Sequence, residues 1–310
     1  MLETHSQKSK LVSITEFIFF GNYFYGACAV ALSVEASLQQ HYLLNYWYFY
    51  VCLFSVTVSY YTIAYISDLQ EFTKNPRTNW YIKNKYFVKI SQWILKLLPF
   101  IILLPLIILH PNWFSYIHVL DWLLILIFPA VAILYYGLNL KTNHTFNLRT
   151  VGWLKPFVIG FSWAGLVTLY PVMFYNISHE KEIALNLLSF LLFLKNFMFI
   201  SVLAIMFDIK DYAMDYNTQL KTFVVHHGLR KTIFFIIIPL CILGLGSFIS
   251  YGILHHFSIY KITLNVLSFI LLLGVAMSLQ IRHSIMYYLI IIDGLMLVKA
   301  ICGIVAMIYF

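Results

Sequence analysis

Charge is what this sequence has least of. Asp, Glu, Lys and Arg make up 10% of its 310 residues, where a soluble domain carries about 25%. That is too little to cover a water-facing surface, and it excludes an ordinary soluble globular protein. Hydrophobic residues account for 62%, and the mean hydropathy is +0.83. Cysteine is scarce as well. Cys28, Cys52, Cys241 and Cys302 each sit in an apolar segment and form no CxxC pair, which argues against a zinc site or a disulfide framework. The histidines show no ligand spacing, and His226-His227 and His255-His256 are adjacent pairs at loop positions. No linker, low-complexity tract or soluble domain interrupts the chain, so residues 1–310 read as a single transmembrane domain. The net charge of +8 is no nucleic-acid footprint, because the basic residues lie in short loops between apolar runs.

Long apolar runs are what the chain has instead. A spanning helix needs about 20 mostly apolar residues. Nine runs qualify: 13–34, 45–66, 89–110, 117–139, 152–174, 184–206, 231–254, 260–281 and 285–308. His110-Pro111-Asn112 separates the third from the fourth. Barrel strands are excluded by run length and by the lack of alternation. The first run continues to about Ser33, longer than the apolar core of a cleavable leader, and is expected to be a retained span. With the N-terminus inside, fifteen of the twenty Lys and Arg fall in cytoplasmic segments. Only Lys181 and Lys261 fall outside, and Lys96, Lys195 and Lys299 lie within spans. The expectation is an all-α integral membrane protein of about nine transmembrane helices, N-terminus in and C-terminus out.

The acids gather in the two longest cytoplasmic loops: Asp68 and Glu71 after the second span, Asp208, Asp211 and Asp215 after the sixth. The clusters are four helices apart, which suggests two similar four-helix units plus one extra helix. On a helix, 208, 211 and 215 fall within about 60° of one face, and Asp68 and Glu71 also share a face. Like charges so placed repel by a few tenths of a kcal/mol per pair, a cost that a bridging cation removes. Mg²⁺ takes one or two carboxylates plus phosphate oxygens. Lys74 and Arg77 flank the first cluster, and Lys210 and Lys221 the second, a natural grip for a diphosphate. Spacing alone leaves three readings open: metal–phosphate binding, a solvated charged loop, and a proton or ion pathway.

The segment FDIKDYAMDYNTQLKTFVVHHG, 207–228, resembles the second aspartate motif of the UbiA superfamily of intramembrane prenyltransferases. That motif runs D-I-[RK]-D-x-x-x-D, then [KR]-T, then a glycine opening the next helix. The matching positions are Asp208-Ile209-Lys210-Asp211, Asp215, Lys221-Thr222 and Gly228, with Gln219 where the family often has glycine. The first family motif, N-x-x-x-D-x-x-x-D, is half present in AYISDLQEFTKNPRT, 64–78. Asp68 matches the middle acid and Arg77-Thr78 the downstream pair. Ala64 and Phe72 replace the other two positions, and Glu71 lies one residue out of register. GWLKPFVIGFSWAGLVTLYP, 152–171, is similar to the family's fifth helix.

The resemblance implies a UbiA-type bundle around a lateral, lipid-open cavity, most simply in a bacterial inner membrane with the acid motifs on the cytoplasmic side. It implies Mg²⁺-dependent transfer of a prenyl group from an isoprenoid diphosphate to an aromatic or quinone-type lipophilic acceptor. Asp211 and Asp215, with Asp208 assisting, would hold one Mg²⁺, and Asp68 with Glu71 the other. Asp68, Asp211 and Asp215 would be the catalytic acids, and Arg77, Lys210 and Lys221 would grip the diphosphate. The half-lost first motif keeps an alternative open: a catalytically impaired protein of the family fold that binds an isoprenoid or lipid, or acts as an assembly partner. A small-solute transporter fits less well, because the acids lie at helix ends rather than at mid-membrane breaks.

Aromatic residues are 18% of the chain and suit either a cation-stabilising cavity or interface belts. The stripe Tyr46-Trp47-Tyr48-Phe49-Tyr50 reads first as a belt. Charged and polar residues inside spans are costly and face a bundle interior or a wet cavity. Here they are Glu16, Asn22, Lys96, Lys195, Asp293 and Lys299. Lys195 is the most central. It is either a substrate-binding residue of the cavity, touching the acceptor or a buried carboxylate, or half of a structural pair with an acid on a neighbouring helix. Asp293 and Lys299 are six apart and share no face.

Overall fold

The computed structural model describes residues 14–66, 75–136, 148–281 and 283–310, and no strand occurs among them. The main helices are α1 (Ile14–Phe20), α2 (Tyr23–Gln39), α3 (Trp47–Ile66), α4 (Pro76–Lys83), α5 (Lys85–Leu109), α6 (Val119–Tyr136), α7 (Lys155–Ser178), α8 (Leu187–Asn217), α9 (Leu229–Leu254), α10 (Ile259–Ser278) and α11 (Ile285–Tyr309). Among the described residues, seven of them, α5 to α11, are long and apolar enough to cross a membrane. The count is eight if the bent pair α1–α2 is one span. Helix α3 occupies the remaining apolar run. In lipid every backbone polar group must be satisfied within the segment, so long apolar runs fold as helices.

The chain divides into two compact units. One comprises residues 1–30 and 45–111, the other 31–44 and 112–310. In the first, α3 packs on α5. The outer face of α5 carries Trp93, Ile94, Phe100, Ile101, Leu104 and Ile108, all exposed, as lipid contact requires.

The first apolar run, expected as a retained span, is two helices with a break between them. The chain bends by 64° between α1 and α2, because Asn22 is left-handed at φ 65°, a conformation that Asn tolerates better than most residues. The polar groups at the bend are satisfied by α3 and α4. Asn22, fully buried, donates to Thr62 Oγ1 at 3.1 Å and to the Tyr81 hydroxyl at 3.0 Å. Tyr81 donates to the Phe20 carbonyl at 2.8 Å, and Arg77 Nη2 donates to Asn22 Oδ1 at 2.5 Å and to the Phe20 carbonyl at 3.3 Å. Asn75 caps α4, with Pro76 in its first turn, a favoured start. Burial pushes the Tyr81 phenol up to about 12.

In the second unit α8 is the axis. Its apolar stretch is 72% buried, against 17% for α6, and it packs on both α7 and α9. Glycines permit the closest approaches. A Cβ at Gly160 of α7 would fall 2.9 Å from the Phe197 carbonyl of α8, and one at Gly165 would fall 2.2 Å from the Phe128 ring of α6. Phe128, Ala164, Leu169, Met173 and Phe193 form a core there. Asn186 caps the start of α8, accepting from Ser189 N at 3.0 Å. The helix then runs for 31 residues, roughly 46 Å at 1.5 Å per residue. The hydrocarbon core is about 30 Å thick. The helix therefore continues past the expected span end at 206, and its last three turns, which carry the acids, are helix rather than loop.

Candidate functional site

The end of α8 presents Asp208, Asp211 and Asp215 on one face, as their spacing dictates, but the three meet different surroundings. Asp208 is fully buried and Asp215 nearly so. Asp211 is partly exposed and pairs with Lys210 at 3.3 Å. Asp208 Oδ1 accepts from Lys155 Nζ, at the start of α7, at 2.5 Å. Lys155 is also within electrostatic reach of Asp215. Asp208 Oδ2 is buried and has no hydrogen-bond partner among the described residues.

Beyond α8 the chain turns back through Gln219, at φ 56°. This is the position where the resembled motif carries glycine, and the left-handed backbone gives the physical reason. Thr222 then caps the short helix Phe223–His227, its Oγ1 accepting from Val225 N at 3.4 Å. Gly152, just before α7, lets this turn dock. A Cβ there would lie 2.5 Å from the Lys221 carbonyl carbon and 2.7 Å from Thr222 N. The turn leaves the Lys221 side chain exposed.

A cavity of about 520 Å³ opens beside the same helix end. Its walls include Ile209, Lys210, Tyr212 and Ala213 of α8, Gly228 and Leu229 at the start of α9, and Leu279, Gln280, Ile281 and His283 after α10. They are mostly apolar with a few polar groups, as ligand sites of 300–1,000 Å³ commonly are. The three aspartates are not among its lining residues. Lys210 belongs to both, lining the cavity while its ammonium reaches Asp211.

No family model, curated protein or solved structure matches the chain. The functional reading therefore rests on the residues themselves.

Of the residues singled out from the sequence, Asp68 and Glu71 lie outside the described residues. Asp208, Asp211, Asp215 and Lys210 are brought together, and Lys221 follows them on the docked turn. Arg77 is buried in its own unit, spent on Asn22 and Phe20, with its guanidinium 4.1 Å over the Tyr65 ring. Lys195 is buried as well, donating to Glu35 Oε1 at 2.8 Å and to Gln39 Oε1 at 2.7 Å. The Lys155–Asp208 pair was not foreseen. A signal for Lys155 existed: it opens a span with Pro156 behind it, inside a stretch already likened to the family's fifth helix.

Two observations bear on a divalent cation. The buried Asp208 Oδ2 is a carboxyl oxygen without a donor among the described residues, the kind of group a cation completes. Yet no three His, Cys, Asp or Glu side chains converge as a metal cage among the described residues. Mg²⁺ does not ask for such a cage, because it keeps waters and shares one or two carboxylates with substrate phosphates. Asp208 and Asp215 fit that demand, and a fully protein-built site does not.

Proposed function

We propose that the protein is a UbiA-type membrane protein of nine spans, N-terminus in, that binds an isoprenoid diphosphate at the end of α8 and transfers its prenyl group to a lipophilic aromatic or quinone-type acceptor. The observation that carries this reading is the largely apolar cavity of about 520 Å³ beside the acid-bearing end of α8, with Lys210 in its wall. Apolar walls suit an isoprenoid chain, and a lysine at the rim suits its phosphates. Asp208, Asp211 and Asp215 would hold Mg²⁺, with Asp68 and Glu71 as the ligands the resemblance adds. When bound, the ion would act as a Lewis acid that neutralises the diphosphate leaving group.

The residues of the chain supply the rest. Lys210 and the exposed Lys221 hold phosphate oxygens, each as a point charge with several donors. Lys155 pairs with Asp208 and fixes it in place. The apolar walls exclude water, so that an allylic cation meets the acceptor rather than hydroxide. A second reading follows from one specific observation: Lys155 and Lys210 already neutralise Asp208 and Asp211. In that reading the site binds an isoprenoid or another anionic lipid without turnover.

The test is to incubate nanodiscs holding the full chain with labelled geranylgeranyl diphosphate and Mg²⁺, with Asp211→Ala as control. Diphosphate release that needs both Mg²⁺ and Asp211 supports transfer. Saturable binding without release supports the second reading, and neither binding nor release overturns both.

A further inference from the structure

Helix α2 ends in Glu35 and Gln39, one turn apart and both fully buried. Glu35 Oε1 accepts from Lys195 Nζ of α8 at 2.8 Å and from Gln39 Nε2 at 3.0 Å. Glu35 Oε2 accepts from Lys299 Nζ of α11 at 2.6 Å. Gln39 links the group onward: its Nε2 donates to Asn265 Oδ1 of α10 at 2.9 Å, and its carbonyl accepts from the Tyr251 hydroxyl of α9. Three helices thus meet at one carboxylate, and Gln39 ties two more to it. The fit is tight, since a Cβ at Gly303 would lie 2.4 Å from Glu35 Cγ and 2.7 Å from its Oε1.

Counted with ordinary charges, this sealed group holds two ammonium ions and one carboxylate. Every other neighbour among the described residues is neutral or basic. Gln39, Asn265, Tyr251 and the Cys302 thiol of α11, which lies within electrostatic reach of Glu35 and Lys299, bring no negative charge. The rings of Phe248 and Phe199 lie 5.0 Å from Lys195 Nζ and 5.6 Å from Lys299 Nζ. Further along, His41, His255, His256 and Lys261 lie at the ends of α2, α9 and α10, and none can supply a second anion. An uncompensated buried ion costs several kcal/mol. Balancing it with an anion requires room beside the ammonium groups. Releasing a proton requires none.

We infer that the Lys195–Glu35–Lys299 triad is a buried proton-binding site, with Lys299 its neutral, proton-accepting member at pH 7. Among the described residues Lys195 has two acceptors, Glu35 and Gln39, whereas the acceptor of Lys299 is the shared carboxylate, with the Lys195 ammonium beside it. The lone pair of Lys299 Nζ takes up a proton to form an ammonium, and the triad goes from net zero to +1. A neutral amine still donates an N–H to Glu35 Oε2, so the hydrogen bond survives in both states. The site is independent of the acid end of α8 and stands whether or not that end binds a diphosphate.

The experiment is ¹⁵N spectroscopy of the lysine side chains in the full chain, in lipid nanodiscs, at pH 7 and after acidification to pH 5. Expected is one Nζ with the resonance of a neutral amine at pH 7, in contact with the Phe199 ring, that becomes an ammonium on acidification. Lys195→Met leaves one lysine for one carboxylate, so Lys299 should then read as an ammonium at pH 7. Lys299→Met should abolish the amine signal and keep the Glu35–Lys195–Gln39 bonds. Two ammonium resonances at pH 7 in the native chain would overturn the site. An amine in contact with Phe248 instead would overturn the assignment to Lys299. Should either variant fail to fold, the native spectrum still decides.

Discussion

Asp208 and Lys155 hold each other where water does not reach Asp208, and such a pair is read best by breaking it. Lys155→Met leaves a buried carboxylate unpaired and is expected to cost about 3–5 kcal/mol, whereas removing both charges in Lys155→Met/Asp208→Asn restores most of the loss. Thermal unfolding of the two single variants and the double variant measures the coupling; additive losses would mean that the two side chains do not meet. Gln219 offers the opposite test. A non-glycine residue at φ 56° carries about 1–2 kcal/mol of left-handed strain, part of which glycine regains in unfolded-chain entropy. Gln219→Gly is therefore expected to raise the melting temperature, and a fall would show that the turn is not left-handed. The Asp spacing and the departure at Gln219 were both legible in the sequence, because they are local. The pairing was not: Lys155 and Asp208 are 53 residues apart, and Glu35 and Lys299 are 264 apart. Glu35 itself was hidden by an element boundary, lying one residue beyond the expected end of the first span.

At the scale of elements, lipid makes helices legible, since any run of about 20 apolar residues must be one. Each expected run is matched by helix. The bend at Gly21-Asn22 escaped, because two small residues inside an apolar run leave its average almost unchanged. Its energetics rest on Asn22, which satisfies Arg77, Thr62 and Tyr81 together. Asn22→Ala is expected to cost about 2–4 kcal/mol by removing three buried hydrogen bonds, the one from the Arg77 guanidinium charge-assisted. Loss of protease resistance in α1–α4 would report it, and an unchanged digest would contradict it.

The same cluster gives a pH dependence. Burial raises the Tyr81 phenol from the usual 10.0 to about 12, so the folded state holds this proton where the unfolded chain gives it up. Its contribution is full below pH 10 and disappears as the pH rises through 12, roughly 2–3 kcal/mol in all by linkage. Phenolate absorbance against pH should show a late-titrating fraction of the tyrosines, and Tyr81→Phe should reduce its amplitude by one phenol. An undiminished late amplitude in Tyr81→Phe would contradict the assignment.

For the molecule as a whole, the proposed diphosphate site lies at the end of α8, the most buried of the candidate spans among the described residues. The long apolar helices could be read from composition, and the face that the three acids share from their spacing. The cavity could not, because Leu279, Gln280, Ile281, His283 and Tyr288 of its wall lie about fifty residues beyond the 207–228 segment that supplies most of the others. The most direct measurement is Mn²⁺ binding, followed by electron paramagnetic resonance as a stand-in for Mg²⁺, in nanodiscs with and without geranylgeranyl diphosphate. The account expects bound Mn²⁺ when the diphosphate is present, with loss of at least tenfold in affinity in Asp208→Asn and Asp215→Asn. Mn²⁺ that fails to bind with the diphosphate, or binds equally well in both variants, would contradict it.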